Sequence, residues 1–148
     1  MINGVSRLSL DNKGRLAIPA RHREALLSAF GKRLMLTLDS ARFLLLYPEQ
    51  NWRTVEARLL AMPAGNPVLQ RYQRLVLGHA EPVEMDSAGR ILLPAHLRAL
   101  VQLDKGVTLV GMGNRFELWD AAKWEEQTRE ALDMNPADLA QHLGDFTL

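Results

Sequence analysis

Cysteine is absent from all 148 residues, which removes disulfide staples and thiolate chemistry from consideration. Long apolar runs are absent too. The longest, FLLLY from Phe43, is far too short to span a bilayer. The first residues, MINGVSRLSLDNKGR, lack the apolar stretch of a signal peptide, so a cytoplasmic protein is the expectation. Aromatic residues make up only 6%, and Trp52, Trp119 and Trp124 read as core or interface anchors rather than platforms for stacked bases. Hydrophobic residues nevertheless reach 47%, enough for one compact domain or two small halves sharing a core.

Net charge is nearly absent overall, at +1, but its distribution is uneven. Residues 1–80 hold 12 lysines and arginines against 5 carboxylates, a net +7. Residues 81–148 hold 6 against 12, a net −6. Such a division fits a basic half that meets a polyanion, or two halves that attract each other within or between subunits.

What is present is a repeated phrase. DNKGRLAIPARHRE begins at Asp11, and DSAGRILLPAHLRA begins at Asp86, 75 residues later. Both fit D-x-x-G-R, three further apolar residues, then P-A-x-x-R. Asp11, Gly14, Arg15, Pro19, Ala20 and Arg23 match Asp86, Gly89, Arg90, Pro94, Ala95 and Arg98. RFLLLYPEQNW from Arg42 is echoed by RFELWDAAKW from Arg115. The chain reads as a duplication of one supersecondary unit.

Each unit can be read from its pattern. VSRLSLD (Val5–Asp11) alternates as a half-buried strand does. In DNKG, Asp11 can accept backbone N–H groups and Gly14 can take a positive φ. RLAI is a short strand. Pro19 suits a first helical turn, and Ala25, Leu26, Ala29 and Phe30 fall at helical spacing. RLMLTL and RFLLLYP read as strands, the second more fully buried. Trp52, Val55, Leu59 and Met62 then share a helical face. MPAGNP (Met62–Pro67) separates the halves, and a connecting helix follows with Val68, Tyr72, Leu75 and Val76 on one side. The second half repeats the order with PVEMD, DSAG, RILL, a helix from Pro94, GVTLVG, RFELWD and AAKWEEQTREAL. Gly111–Gly113 (GMG) reads as a hairpin turn. A capped helix begins near Asn135. The expected organisation is a first half at 5–52, connecting helices at 53–80, a second half at 81–124 and a C-terminal helical segment at 125–148. The fold class is α+β. Four short strands make a poor core alone, so the two halves are expected to interleave into a closed barrel about a pseudo-twofold axis.

The twin D-x-x-G-R turns, each followed by a proline-started helix, together with NPVLQRYQRLVLGHA and RFELWD, resemble the MraZ family of bacterial transcriptional regulators. That family belongs with the AbrB-like, swapped-hairpin DNA-binding proteins, and the likeness covers essentially the whole chain. The resemblance implies a duplicated AbrB-like barrel and a ring-like homo-oligomer. It also implies a nucleoid-associated regulator of double-stranded DNA, bound to direct G-rich repeats upstream of the division and cell-wall gene cluster. It implies that DNA contact lies on the D-x-x-x-R segments, here Asp11–Arg15 and Asp86–Arg90.

The candidate DNA-binding residues are therefore Asp11, Lys13, Gly14, Arg15, Asp86 and Arg90. Arginine offers a planar fork that can bond guanine O6 and N7 together, and an aspartate across a tight turn can fix its orientation before binding. The plainer reading is that each aspartate closes its turn and each arginine braces the barrel. Lys13 adds a phosphate contact that Ala88 cannot make, so the first copy reads as the better DNA binder. Arg23 and Arg98, inside their helices, read as bonds within the fold.

Other chemistry is poorly supported. His22, His79, His96 and His142 lack partners at ligand spacing, and no metal or cofactor is expected. No catalytic grouping, membrane span or small-molecule substrate site stands out. Beside the DNA-binding regulator stand two other readings. An antitoxin-like module would carry a disordered toxin-wrapping tail, and a small enzyme would need a pocket with perturbed acids.

Overall fold

The computed structural model describes residues 2–148. The first half runs β1 (Ile2–Ser9), β2 (Arg15–Ala17), α1 (Ala20–Ala29), β3 (Arg33–Leu38), β4 (Leu44–Pro48), α2 (Glu49–Leu60) and α3 (Pro67–Gly78). The second runs β5 (Glu81–Glu84), β6 (Arg90–Leu92), α4 (Ala95–Leu100), β7 (Gly106–Gly113), β8 (Phe116–Asp120), α5 (Ala121–Leu132) and α6 (Pro136–Leu143). The fold is α+β, and the sequence duplication is carried into three dimensions.

The main sheet has six antiparallel strands in the order β1-β7-β8-β4-β3-β5. Exchanging the halves reproduces the same order read from the other end. Neither half keeps its own first strand. β1 pairs with β7 of the second half, and β5 with β3 of the first. This swap also interleaves the basic and acidic halves, and Arg7 of β1 reaches Glu125 of α5 at 3.2 Å.

The closed barrel expected from the sequence is corrected here. The six-stranded ladder is open, with β1 and β5 at its edges, and β2 and β6 pair only with each other as a separate ribbon. The ribbon is held down by side chains instead. Leu16 and Ile91 lie opposite each other at its centre, and both are fully buried. Each contributes about 1.5–3 kcal/mol by leaving water.

The main core lies between the sheet and this ribbon, joined by Leu26 of α1, Leu97 of α4, and Leu44, Leu46, Phe116 and Leu118. The other face of the sheet carries a second cluster of Phe43, Leu45, Tyr47, Trp52, Leu59 and Val76 beneath α2 and α3. β4 is therefore buried on both faces, which explains its unbroken apolar run. Trp119 stacks on Phe43 with ring centroids 4.5 Å apart, and Trp124 meets Trp119 at 5.7 Å.

Three local expectations change. In α1 the buried pair is His22 and Leu26, while Ala25, Ala29 and Phe30 are exposed. The His22 ring meets Phe116 edge-on, with centroids 4.9 Å apart. In α3, Tyr72, Leu75 and Val76 turn inward, but Val68 stays exposed. Gly111–Gly113 belongs to β7, and the turn falls at Asn114 and Arg115, where the Met112 N–H donates to the Arg115 carbonyl at 2.8 Å. Gly111 is needed because a Cβ there would stand 2.6 Å from the Asn3 backbone.

Candidate nucleic-acid interface

The two repeated turns adopt one geometry. In the first, Asp11 Oδ1 accepts the N–H groups of Lys13 at 2.9 Å and Arg15 at 2.8 Å. Asp11 Oδ2 accepts Arg15 Nε at 2.7 Å. In the second, Asp86 Oδ1 accepts the N–H groups of Ala88 and Arg90, each at 2.9 Å, and its Oδ2 accepts Arg90 Nε at 2.9 Å. Gly14 and Gly89 close these turns at φ values of +80° and +74°, a region that side chains disfavour. Each aspartate thus closes its turn and orients its arginine, so the two sequence readings of the pair are compatible.

The hydrogen bonds leave an electrostatic mark. The Arg15 backbone N–H, followed by its side chain and the Lys13 N–H, lowers the Asp11 carboxyl from 3.8 to about 2. The equivalent bonds, led by the Arg90 N–H, also lower Asp86. Both carboxylates stay ionised wherever the protein is folded at ordinary pH.

The ribbon decides where the arginines point. Its register is Arg15 opposite Leu92, Leu16 opposite Ile91 and Ala17 opposite Arg90. Alternation sends Leu16 and Ile91 inward, so Arg15, Ala17, Arg90 and Leu92 share the outward face. Two strands of different halves therefore combine both arginines on one surface, with their turns at opposite ends of the ribbon. From strand geometry their Cα atoms lie roughly 8 Å apart on the diagonal. Only Nε of each arginine is tied down among the described residues, which leaves both terminal nitrogens of each fork open to a ligand. Lys13 projects at the exposed tip of the first turn, where the second carries Ala88.

Each turn is buttressed from the other half. Arg23 of α1 donates from Nη1 to the Ala88 carbonyl at 2.7 Å. Arg98 of α4 lies over Gly14 and donates from Nε to the Leu93 carbonyl at 3.0 Å. Two crossed backbone bonds complete the brace: Ile18 N–H to Gly89 O at 2.9 Å and Leu93 N–H to Gly14 O at 3.0 Å. The sequence placed Arg23 and Arg98 within the fold but not across it. It gave no sign of Ala17 and Leu92 as face-mates of the arginines. That signal was available only by pairing the two copies of RLAI/RILL antiparallel about their second residue.

Comparison with known proteins bears on what this surface meets. The family described as "MraZ protein, putative antitoxin-like" matches residues 1–75 and again 76–146. The chain is 74% identical to the transcriptional regulator MraZ of Chromobacterium violaceum, over the full length of both. It is 45% identical to that of Thiobacillus denitrificans and 47% identical to that of Shewanella amazonensis, again with each chain covered completely.

Proposed function

The chain belongs to the MraZ family, and from that premise we propose that it reads direct G-rich repeats with its β2–β6 ribbon. It is a DNA-binding regulator of transcription, not an enzyme. In the finer proposal it acts on the nucleoid in the cytoplasm, as an oligomeric ring, at the promoter of the division and cell-wall gene cluster. The observation that carries the reading is the shared outward face of the ribbon, on which aspartate-fixed Arg15 and Arg90 stand together.

A two-stranded ribbon fits the major groove, where an arginine fork can bond guanine O6 and N7. Because Asp11 and Asp86 already hold the forks, less side-chain freedom is lost on binding. A separation of roughly 8 Å between the arginines corresponds to between two and three base steps of about 3.4 Å. That spacing suits a short guanine run. Gly14, beneath Arg98, holds the positive φ that shapes the turn, and Lys13 supplies a phosphate contact. One ribbon covers only a few base pairs, so several subunits must act together to find a promoter. A head-to-tail ring presents its ribbons in one direction and matches direct repeats, whereas an isologous dimer matches a palindrome.

The test is binding to duplexes carrying two direct repeats. Arg15→Ala is expected to cost roughly 1–3 kcal/mol of specific affinity, more than Arg90→Ala, with folding and oligomer size unchanged. Inserting roughly 5 base pairs between the repeats should cut affinity sharply, and a full-turn insertion should do less harm. Full affinity in a folded Arg15→Ala protein would refute the ribbon reading. Equal affinity for inverted repeats would refute the ring.

A further inference from the structure

Leu92 stands on the outward face of the ribbon, and the fold leaves it open. Its neighbours Ile91 and Leu93 are fully buried, while Leu92 itself is 55% exposed. It belongs to neither apolar cluster of the core. The ribbon register sets it directly opposite Arg15, which places the two Cβ atoms about 4.5–5.5 Å apart. The equivalent residue of the first strand is Ala17, opposite Arg90. One arginine therefore has a full isobutyl group beside it, and the other only a methyl group. A lone exposed leucine is ordinary on a protein surface. This one shares a face with two arginines whose forks are held by Asp11 and Asp86.

The chemistry of the major groove says what such a side chain can meet. Base edges there present hydrogen-bonding groups, and their one apolar feature is the C5 methyl group of thymine. A leucine pressed on guanine O6, or on the amino groups of adenine or cytosine, displaces water and returns no hydrogen bond, which is costly. A leucine pressed on a thymine methyl removes apolar surface from water on both sides. The separation from Arg15 spans between one and two base steps of about 3.4 Å. Leu92 therefore reaches a base pair next to the guanine that the Arg15 fork bonds.

We infer that Leu92 selects a thymine beside the guanine read by Arg15, by packing against the thymine C5 methyl group. The inference rests on the ribbon reading proposed above and adds a second base to it. Ala17 is too short to make the same contact beside Arg90, so thymine is selected at one end of the guanine run and not at the other.

Selection by the full chain from a pool of randomised duplexes tests it. The wild type should enrich guanines with thymine at one flanking position. Leu92→Ala should keep the guanines and lose the thymine. Leu92→Met, which conserves volume and apolar character, should keep both. Because Leu92 is exposed, both variants should melt with the wild type. In the enriched duplex, exchanging that thymine for deoxyuridine removes the methyl group alone. The exchange should weaken wild-type binding about fourfold, the worth of one buried carbon, and leave Leu92→Ala binding unchanged. A wild type without the thymine preference, a preference that survives in Leu92→Ala, or a deoxyuridine duplex bound as tightly as its thymine parent would overturn the inference. The ribbon reading is scored separately with Arg15→Ala. A guanine preference that survives in that variant refutes the arginine assignment, whatever the thymine position shows.

Discussion

Arg23 lies across Gly89. The α1 side chain of the first half occupies the space where a Cβ on the second half's turn would stand, and its Nη1 bonds the adjacent Ala88 carbonyl at 2.7 Å. Gly14 has a looser counterpart, since its hypothetical Cβ meets the far end of Arg98, with Nη2 at 2.8 Å. Both glycines hold positive φ. Alanine at either pays the left-handed backbone cost of about 1–3 kcal/mol. At Gly89 the stem of Arg23 must also be displaced and its bond broken, whereas the Arg98 tip can swing aside. Gly89→Ala should therefore lower the urea midpoint more than Gly14→Ala. Equal losses would mean that Arg23 yields freely and does not brace the turn.

Lys13 marks the difference between the two turns. It is exposed at the tip of the first, and Ala88 takes its place in the second. Lys13→Ala should weaken binding to specific and unrelated duplexes alike, and lower the slope of log affinity against log salt by about one unit. A loss confined to the specific duplex would make Lys13 a base reader instead.

The Asp11 carboxyl sits at about 2, below its ordinary 3.8, chiefly through the Arg15 N–H. Its folded value lies below the unfolded one. The turn's contribution is therefore complete above about pH 3.8 and is lost as pH falls toward about 2. Carbon-detected NMR of the Asp11 side chain should give a midpoint near 2, and Asp86 should also titrate below the usual range. A midpoint at the ordinary value would show that the Asp11 bonds are not held in solution.

His22 occupies the place that Leu97 takes in the second half. It is buried, and its Nε2 has no hydrogen-bond partner among the described residues. Burial, aided by the charge of Arg21, lowers its pKa from 6.5. The folded state thus keeps His22 neutral while the unfolded chain takes up a proton, and stability falls as pH drops below about 6.5. His22→Leu copies the second half and removes an unpartnered nitrogen, so it should raise stability by about 1–2 kcal/mol. Its advantage should widen between pH 7.5 and pH 5.5 in urea unfolding. A variant less stable than wild type at both values would mean that the His22–Phe116 contact is favourable.

The duplication, the element order and the aspartate-closed turns were legible because they depend on local chemistry. D-x-x-G fixes a turn wherever it occurs, and FLLLY announces a strand covered on both faces. What could not be read is set by partners far along the chain. The ribbon pairs Leu16 with Ile91 through strands too short to show a period, so the outward company of Arg15 was hidden. His22 was discounted because a polarity pattern cannot see that its ring packs on Phe116. The open ladder escaped notice because alternation specifies which face is buried, not whether the last strand meets the first.

The dyad through Leu16 and Ile91 has a consequence for how such a surface can change. In a homodimer built from a single copy of the unit, every substitution strikes both turns at once, and the ribbon remains its own mirror under rotation. Such a surface has no forward direction on a duplex. Joining the copies in one chain lets each be altered alone. Lys13 against Ala88, and Ala17 against Leu92, are alterations of that kind on otherwise matching frames. They give a nearly rotationally degenerate surface a head and a tail.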